Sequence, residues 1–265
     1  GDSYGLSVKA AQTKAKKIIF SSVLFMGETA KILNPDKEVY MPQTAGCSLA
    51  ASITAQDVRN MKQKYPGRPV ACYVNTTAQV KAECDVCVTS ANVVKIIKSL
   101  PEEEIIFLPD KYMARNVAKL TGKKLIPWDG VCIVHEAFDV EHIKRVRAKK
   151  PEAKILAHTE CPEEVIALAD MAGGTSDMEN YVRNSQTHEF MLVTECGLSD
   201  RFRVEFPDKR FVGTCQMCPY MKETSLEDIL QVLESPQDHQ RIDLDVEIMD
   251  QARKSLEKMM EMSEK

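Results

Sequence analysis

Short apolar segments alternate with longer amphipathic segments along most of the chain. The apolar segments have the length and composition of strands, and they run into polar turns. The amphipathic segments have helical spacing, and several of them end next to a proline such as Pro66 or Pro151. Strands are predicted at 17–20, 38–42, 70–74, 84–88, 105–108, 125–127, 155–157, 190–193 and 210–212. Helices are predicted at 26–33, 54–65, 93–99, 112–120, 140–149, 226–233 and 246–262.

This alternation predicts the fold class. Short buried strands separated by helices indicate parallel sheets that are covered by helices on both faces. We therefore expect an α/β protein. Its ligands should bind at the carboxyl ends of the strands, where open sheets of this kind place their sites.

Three cysteines indicate an internal repeat. Cys47, Cys132 and Cys218 are separated by 85 and 86 residues (132 − 47 and 218 − 132). A lysine precedes each cysteine, by 10 residues in the first case and by 9 in the others. This period suits a small α/β domain better than a solenoid unit. One cysteine at the same place in three repeats is typical of a site on a pseudo-threefold axis.

We expect three αβα sandwich domains, related by this pseudo-threefold axis, with parallel sheets around a central cluster site. The predicted boundaries are 1–67, 68–150 and 151–235, followed by a C-terminal helical tail at 236–265 that packs across the outside. Ser3 corresponds to Ser90 and Thr175 in the register of the repeats. That register places a strand and a polar turn about a dozen residues before Ser3. We therefore expect that the natural polypeptide has a further segment before this sequence.

Composition and charge exclude several classes of protein. Apolar residues make up 44% of the 265 residues and charged residues 28%, as in ordinary globular proteins. The net charge of −4 gives no reason to expect nucleic acid or an anionic membrane as a partner. No apolar run approaches the length of a membrane span. Nine scattered cysteines, an odd number, argue against an oxidised secreted scaffold and favour a reducing compartment such as the cytoplasm.

The three repeated cysteines can bind an iron–sulfur cluster. Thiolates are the usual ligands of such clusters, and three of them leave one iron of a [4Fe–4S] cluster open to act as a Lewis acid. Zinc is the competing metal, with Cys132, Cys218 and His135 as a ligand set, although zinc ligands are usually clustered locally. Any one of these cysteines alone would most often be structural. Two C-x-x-C pairs also occur. In the pair Cys215 and Cys218, the repeat register favours Cys218 as the metal ligand. The pair Cys84 and Cys87 lies in an apolar strand pattern, which indicates that both thiols pack in the core.

Two further groups of residues suggest a substrate pocket. Ser3, Ser90 and Thr175 are predicted at helix openings, where free N–H groups favour an anion, although each alone would most often be an ordinary cap. Polar residues follow the predicted strands, and Glu160 can act as a general base, with His135 or His158 as proton donor. Glu195 is a weaker candidate. The strand-end residues are Tyr73, Asn75, His135, His158 and Glu160.

The motifs of the chain resemble those of quinolinate synthase. The resemblance covers essentially the whole chain. It is carried by Gly1-Asp2-Ser3, Ile32-Leu33-Asn34-Pro35-Asp36-Lys37, Tyr73-Val74-Asn75-Thr76-Thr77, Thr89-Ser90-Ala91-Asn92, Gly130-Val131-Cys132-Ile133-Val134-His135, His158-Thr159-Glu160-Cys161-Pro162, Gly174-Thr175-Ser176 and Cys218-Pro219-Tyr220-Met221-Lys222. These motifs are specific only in combination.

The resemblance implies a transferase of NAD biosynthesis, built as three pseudo-symmetric αβα domains around a [4Fe–4S] cluster. The family condenses iminoaspartate with dihydroxyacetone phosphate to quinolinate, phosphate and water. L-aspartate oxidase or aspartate dehydrogenase would then be a functional partner that supplies iminoaspartate. Cys47, Cys132 and Cys218 match the cluster ligands. Tyr73, His135, His158 and Glu160 match catalytic residues, and the substrate-binding positions are Ser3, Tyr73, Asn75, Ser90, His158, Glu160 and Thr175.

The resemblance has two departures. The family carries an Ala-His-x-Tyr-Gln turn upstream of Gly-Asp-Ser, in the segment that the repeat register leads us to expect before this sequence. The run Ser22-Val23-Leu24-Phe25-Met26 stands where the family often has Gly-Val-Asp-Phe-Met. Two other functions compete with quinolinate synthesis on the residues alone: a zinc-dependent hydrolase or lyase, and a non-catalytic iron–sulfur protein on the same scaffold.

Overall fold

A computed structural model describes residues 3–213 and 216–264. It contains three parallel sheets of two, four and four strands with helices packed against them, so the α/β fold class is confirmed. The strands are β1 Lys17–Ile19, β2 Glu38–Tyr40, β3 Val70–Tyr73, β4 Val86–Val88, β5 Glu104–Leu108, β6 Lys124–Pro127, β7 Lys154–His158, β8 Met171–Gly173, β9 Glu189–Val193 and β10 Arg210–Phe211.

Helices connect these strands, and some of them are a single turn long. They are α1 Ser3–Gln12, α2 Leu24–Leu33, α3 Ser48–Ala51, α4 Ala55–Lys64, α5 Ala78–Ala82, α6 Val93–Ser99, α7 Lys111–Thr121, α8 Ile133–Glu136, α9 Val140–Lys149, α10 Glu163–Ile166, α11 Thr175–Asn184, α12 Cys196–Glu205, α13 Leu226–Glu234 and α14 Val246–Glu264.

The second and third sheets have the same strand order. β5 lies between β3 and β6 with β4 outside β3, and β9 lies between β7 and β10 with β8 outside β7. β1 and β2 form a parallel pair whose positions in the repeat are those of β5 and β6. The strands of each sheet therefore come from one successive part of the chain, as the repeat predicts. The domain boundaries themselves stay a prediction.

Local sequence explains where several helices begin and end. Thr54 accepts a hydrogen bond from the Asp57 N–H, and the Asp57 carboxylate accepts from the Thr54 N–H, so both donors at the start of α4 are satisfied. α7 ends at Gly122, whose φ of 74° is in the left-handed region that glycine adopts without steric cost. The helix α6 begins at Val93, as predicted, and Ser90 lies in the turn before it. Asn92 Oδ1 accepts from the Thr89 N–H and closes this turn.

The cores lie between each sheet and its helices. Every residue of β3 and of β4 is buried, as expected for strands that are covered on both faces. The strand predicted from Cys84 begins two residues later, at Val86. The Cys84 thiol donates to the Val80 carbonyl oxygen within α5.

The C-terminal helix α14 is amphipathic, as predicted. It packs on α5 and β4 and buries Ala252, Ser255 and Leu256 completely. Its apolar face belongs to the largest core cluster, the one that also covers the second sheet. α14 is thus part of the core of this region rather than only a cover on the outside. No helix within the described ranges is both long and apolar enough to span a bilayer.

The same backbone hydrogen bond, found once in each repeat, places the three repeated cysteines at equivalent positions. In each repeat, the first residue of a helix donates its N–H to the carbonyl oxygen of the residue two before the cysteine. The pairs are Leu24 with Ala45, Lys111 with Gly130 and Cys196 with Gln216, at 2.8, 2.9 and 3.0 Å. This recurring bond holds each cysteine loop at the carboxyl end of its sheet.

Candidate active site

Glu160 lies at the centre of a buried polar cluster. It follows β7, and its side chain is in contact with residues from the second and third repeats. The Tyr73 hydroxyl donates to Glu160 Oε1 at 2.7 Å, and His135 Nδ1 lies 3.1 Å from Oε2. His158 Nδ1 is 3.4 Å from Oε1. Tyr73, His135, His158 and Glu160 are all less than 9% exposed, so these contacts replace solvent.

The environment keeps Glu160 ionised. Burial alone would raise the pKa of its carboxyl, but the nearby His135 and His158 and the hydrogen bond from Tyr73 outweigh burial and hold the pKa well below its usual range. The pKa of Tyr73 is raised well above its usual value, by burial and by the charge of Glu160, so this hydroxyl keeps its proton. Glu160 is therefore an acceptor and Tyr73 a donor at neutral pH.

The two histidines are stacked and have different partners. Their ring centroids are 4.6 Å apart. Burial lowers the pKa of His158 to about 4, so His158 is neutral at pH 7. Its Nδ1 accepts from the Glu160 N–H at 3.3 Å, which places the proton of the neutral ring on Nε2. His135 is held from its other side by Thr194, whose Oγ1 is 3.0 Å from Nε2.

The three repeated cysteines are free and half-buried. Cys47 and Cys132 are the N-cap residues of the one-turn helices α3 and α8, and Cys218 precedes a single 3₁₀ turn at Tyr220–Lys222. Cys47 lies near enough to Glu160 and Cys218 for their charges to raise its pKa. Residues from all three repeats therefore meet beside Glu160.

Burial disfavours thiolates at this site unless a cation compensates. It raises the pKa of Cys47 to about 11 and raises that of Cys132 further, where Glu160 adds to the effect. The N–H groups of Leu49 and Ala50 oppose the shift at Cys47, and those of Val134 and His135 oppose it at Cys132. Two half-buried thiols that are already supplied with N–H donors, but are neutral without a positive partner, fit a metal centre well.

Cys132, His135 and Glu160 form the tightest group of potential metal ligands in the described part of the chain. One ligand atom from each lies within 4.8 Å of the others. The His135 Nδ1 to Cys132 Sγ distance is 3.2 Å. This mixed sulfur, nitrogen and oxygen set differs from the zinc set predicted from the sequence, because Glu160 stands in the place of Cys218.

The predicted anion-binding positions are partly brought together. Thr175 is the first residue of α11, as expected, and a Cβ built on the adjacent Gly174 would lie 2.6 Å from Ser90 Oγ. Gly174 thus lets the loop of Ser90 approach the start of α11. Asn75 Oδ1 is buried and accepts no hydrogen bond from any described residue. Ser3 begins α1, but its side chain lies outside what the structure describes, as do Gly1, Asp2 and Cys215.

Comparison with known proteins identifies the family. The family profile described as "Quinolinate synthetase A protein" matches residues 1–261. The chain belongs to the quinolinate synthase family. Quinolinate synthase 1 of Mesorhizobium japonicum is 46% identical over 261 residues, which is 98% of this chain and 80% of the relative. Quinolinate synthases of Caulobacter vibrioides and Xylella fastidiosa are 43% and 44% identical, over 99% and 98% of this chain and 72% and 76% of their own lengths.

Membership of the quinolinate synthase family confirms the resemblance drawn from the motifs and makes the chain an enzyme. The geometry brings Tyr73, His135, His158 and Glu160 together with Cys132. The individual roles of these residues remain predictions.

The structure shows two further carboxyl residues near the cysteine loops. Asp110 was not predicted from the sequence, and Glu195 was predicted only as a weaker candidate. Asp110 is fully buried and caps α7, with Oδ1 accepting from the Met113 N–H at 2.6 Å, and burial raises its pKa well above the usual value. Glu195, a weak candidate from the sequence, caps α12 and accepts from the Cys218 N–H at 3.4 Å. The two acids are 85 residues apart (195 − 110), so the repeat spacing was a signal that could have found Asp110.

Proposed function

We propose that this chain condenses iminoaspartate with dihydroxyacetone phosphate to quinolinate, phosphate and water, in the pathway to NAD. The observation that carries the proposal is the buried Glu160 cluster, which lies beside Cys132 and is built from the strand ends of two repeats. It provides the ionised carboxylate of Glu160 as acceptor and the Tyr73 hydroxyl and the neutral His158 ring as donors, all of them buried, as a sequence of proton transfers and dehydrations requires.

Cys47, Cys132 and Cys218 would hold a [4Fe–4S] cluster. The fit rests on three free thiols, one from each repeat, and on the N–H donors that face two of them. When bound, the cluster supplies one open iron as a Lewis acid for a substrate oxygen.

The residues around the centre would bind substrate and move protons. Glu160 removes a proton from carbon or nitrogen. The Tyr73 hydroxyl, which is hydrogen-bonded to Glu160, gives its own proton to the substrate and takes the proton from Glu160, so both groups return to their starting state. His158 Nε2–H, left free by the bond at Nδ1, donates to a substrate oxygen. Thr194 fixes the ring of His135, which in turn holds Glu160.

The substrates carry carboxylate and phosphate groups, and the chain offers hydroxyl and amide groups for them. Ser3, Ser90 and Thr175 would bind these anions near helix starts, where N–H groups and the helix dipole favour negative charge. The contact between the Ser90 and Gly174 loops supports this. The buried Asn75 Oδ1, which has no hydrogen-bond partner among the described residues, is an acceptor suited to an N–H or O–H group of the substrate.

The wider setting follows from the same assignment. The three repeats at 1–67, 68–150 and 151–235 would each contribute one cysteine to the shared centre, with the tail at 236–265 completing the core of the second. We place the enzyme in the cytoplasm, where L-aspartate oxidase or aspartate dehydrogenase would supply iminoaspartate.

A zinc-dependent hydrolase or lyase is the second candidate, because Cys132, His135 and Glu160 alone form a compact ligand set suited to zinc. The test is to prepare the protein anaerobically with iron and sulfide in one sample and with zinc in another, and to assay both for quinolinate. We expect product only from the iron–sulfur sample. Formation of quinolinate by the zinc sample would overturn the cluster assignment. An iron–sulfur sample that holds a cluster but forms no quinolinate would favour a non-catalytic iron–sulfur protein.

A further inference from the structure

The loops of Cys47 and Cys132 are fastened to each other along α3. This one-turn helix directly follows Cys47, and the loop 128–133 of the second repeat runs along it. Trp128 Nε1 donates to the Ser52 carbonyl oxygen at 2.9 Å, at the far end of α3. A Cβ built on Gly130 would lie 2.4 Å from Ser52 Oγ, so the loop backbone passes directly against this end of the helix.

Ser48, at the near end of α3, binds on both sides of Cys132. Its hydroxyl donates to the Val131 carbonyl oxygen at 3.0 Å and accepts from the Ile133 N–H at 3.3 Å. One hydroxyl next to a ligand cysteine of the first repeat thus holds the two peptide groups that flank the ligand cysteine of the second.

The N–H donors at the start of α8 have two different acceptors, the Ser48 hydroxyl and the Cys132 sulfur. Ile133 is the first residue of α8, and its N–H has no partner within the helix. Ser48 takes this donor, whereas the N–H groups of Val134 and His135 face the Cys132 sulfur. The Cys132 thiolate therefore keeps these two N–H donors only while the single turn of α8 stays in place. Ser48 is the side chain that holds the start of that turn.

The other two junctions between cysteine loops are built differently. Gln216 Nε2 donates to the Ala137 carbonyl oxygen at 3.3 Å, beyond the end of α8. The ring of Tyr220 packs beside Gly46, where an added Cβ would lie 3.5 Å from it. Neither contact flanks a ligand cysteine on both sides, and the positions equivalent to Ser48 are Ile133 and Pro219, which carry no hydroxyl.

We propose that Ser48 is a positioning residue that ties the Cys132 loop to the Cys47 loop and slows the loss of the metal cluster that the two thiolates share. The inference rests on the proposed function for the presence of the cluster. It concerns the lifetime of the cluster, not the chemistry of turnover.

The test compares four proteins, each loaded with its cluster anaerobically: the unaltered chain, Ser48→Ala, Ser48→Thr and Ser52→Ala. Ser52→Ala is the matched control, because the Ser52 hydroxyl bonds to the Leu49 carbonyl oxygen of α3 itself and, among the described residues, to no group of the Cys132 loop. The measurement is the rate at which the visible absorbance of the cluster disappears after addition of an iron chelator, with no substrate present.

We expect Ser48→Ala to lose the cluster about threefold to tenfold faster than the unaltered chain, the scale of one or two lost hydrogen bonds. Ser48→Thr, which keeps the hydroxyl, should stay within about twofold, and so should Ser52→Ala. Equal rates for Ser48→Ala and Ser52→Ala would overturn the proposal. So would a Ser48→Ala protein that no longer folds, because Ser48 would then be a general stabilising residue.

The result separates the two claims. If the unaltered chain takes up no iron and sulfide, the cluster assignment fails. If both it and Ser48→Ala hold the cluster and lose it at the same rate, only the role of Ser48 fails.

Discussion

Glu160 is the residue on which the proposed chemistry depends most. Its two carboxylate oxygens accept hydrogen bonds from Tyr73 and His135. Glu160 is not one of the proposed cluster ligands, which are the three cysteines. We expect Glu160→Gln to keep full iron and sulfide content but to lower turnover by about a hundredfold or more, the usual scale for a lost acid–base group.

The exposed Glu164, four residues further along, provides the control for this change. Glu164→Gln should keep both the cluster and normal turnover. Full activity in Glu160→Gln would reduce Glu160 to a structural residue.

His158 should make the stability of the protein sensitive to acid. Its pKa is about 4 in the folded protein, against 6.5 for an unperturbed histidine. Between these values the unfolded chain binds more protons than the folded one, so stability is lost as the pH falls from 6.5 towards 4. The full shift corresponds to at most about 3 kcal/mol.

Urea unfolding of the cluster-free protein across this pH range would measure the effect. His158→Gln should show a shallower loss of stability than the unaltered chain, because glutamine takes up no proton. Parallel curves for the two proteins would show that His158 is not buried as a neutral ring.

At the residue scale, the sequence could predict which side chains meet but not how each is held. Tyr73, Asn75, His158 and Glu160 are predictable because they follow apolar strands. The repeat spacing of 85 residues also relates Tyr73 to His158 and Asn75 to Glu160 (158 − 73 and 160 − 75). Thr194 and Ser48 were missed, since their partners lie 59 and 83 residues away and no local pattern signals such contacts.

The loop of Cys132 is the element whose geometry is most constrained. A Cβ on Gly130 would come within 2.5 Å of the Pro109 carbonyl oxygen, a backbone atom that cannot move aside easily. We expect Gly130→Ala to displace this loop, to lower the free energy of unfolding by about 1–3 kcal/mol and to reduce iron content.

Gly46, next to Cys47 in the corresponding loop of the first repeat, is the natural comparison. A Cβ there would make only ordinary contacts, at 3.5 Å from the Tyr220 ring. Gly46→Ala should therefore be tolerated. Equal effects of the two substitutions on unfolding and on iron content would contradict this account of the loops.

The helix α14 should contribute strongly to stability. Leu256 is fully buried against the second sheet, so Leu256→Ala should lower the free energy of unfolding by about 2–5 kcal/mol. Leu226, which begins α13 and is 80% exposed, is the control, and Leu226→Ala should change stability by less than about 0.5 kcal/mol. A small effect at Leu256 in chemical unfolding would mean that α14 only covers the surface.

Helices and strands were predictable to the extent that periodicity and breaking residues define them. α6 and α9 match the predicted ranges, because β-branched and apolar residues recur at helical spacing there. The one-turn helices α3 and α8 gave no periodic signal, since four residues are too few to show one. These short helices nevertheless orient Cys47 and Cys132, so the sequence predicted the ligands without the elements that hold them.

At the scale of the whole molecule, the repeat explains why residues far apart in sequence share one centre. Two sheets with the same strand order, and a pair of strands in the same register, present their carboxyl ends with one cysteine loop each. One repeat alone could not hold a multinuclear centre through its loop cysteine, because that cysteine provides only one thiolate ligand. The central claim is therefore that Cys47, Cys132 and Cys218 together hold one iron–sulfur cluster.

Iron and acid-labile sulfide analysis of single serine variants tests this claim most directly. The unaltered chain, loaded anaerobically, should hold about four irons and four sulfides. Cys47→Ser, Cys132→Ser and Cys218→Ser should each lose most of both. Cys84→Ser should retain them, because that thiol bonds to the Val80 carbonyl oxygen within α5. A full complement of iron and sulfide in any of the three ligand variants would contradict the account.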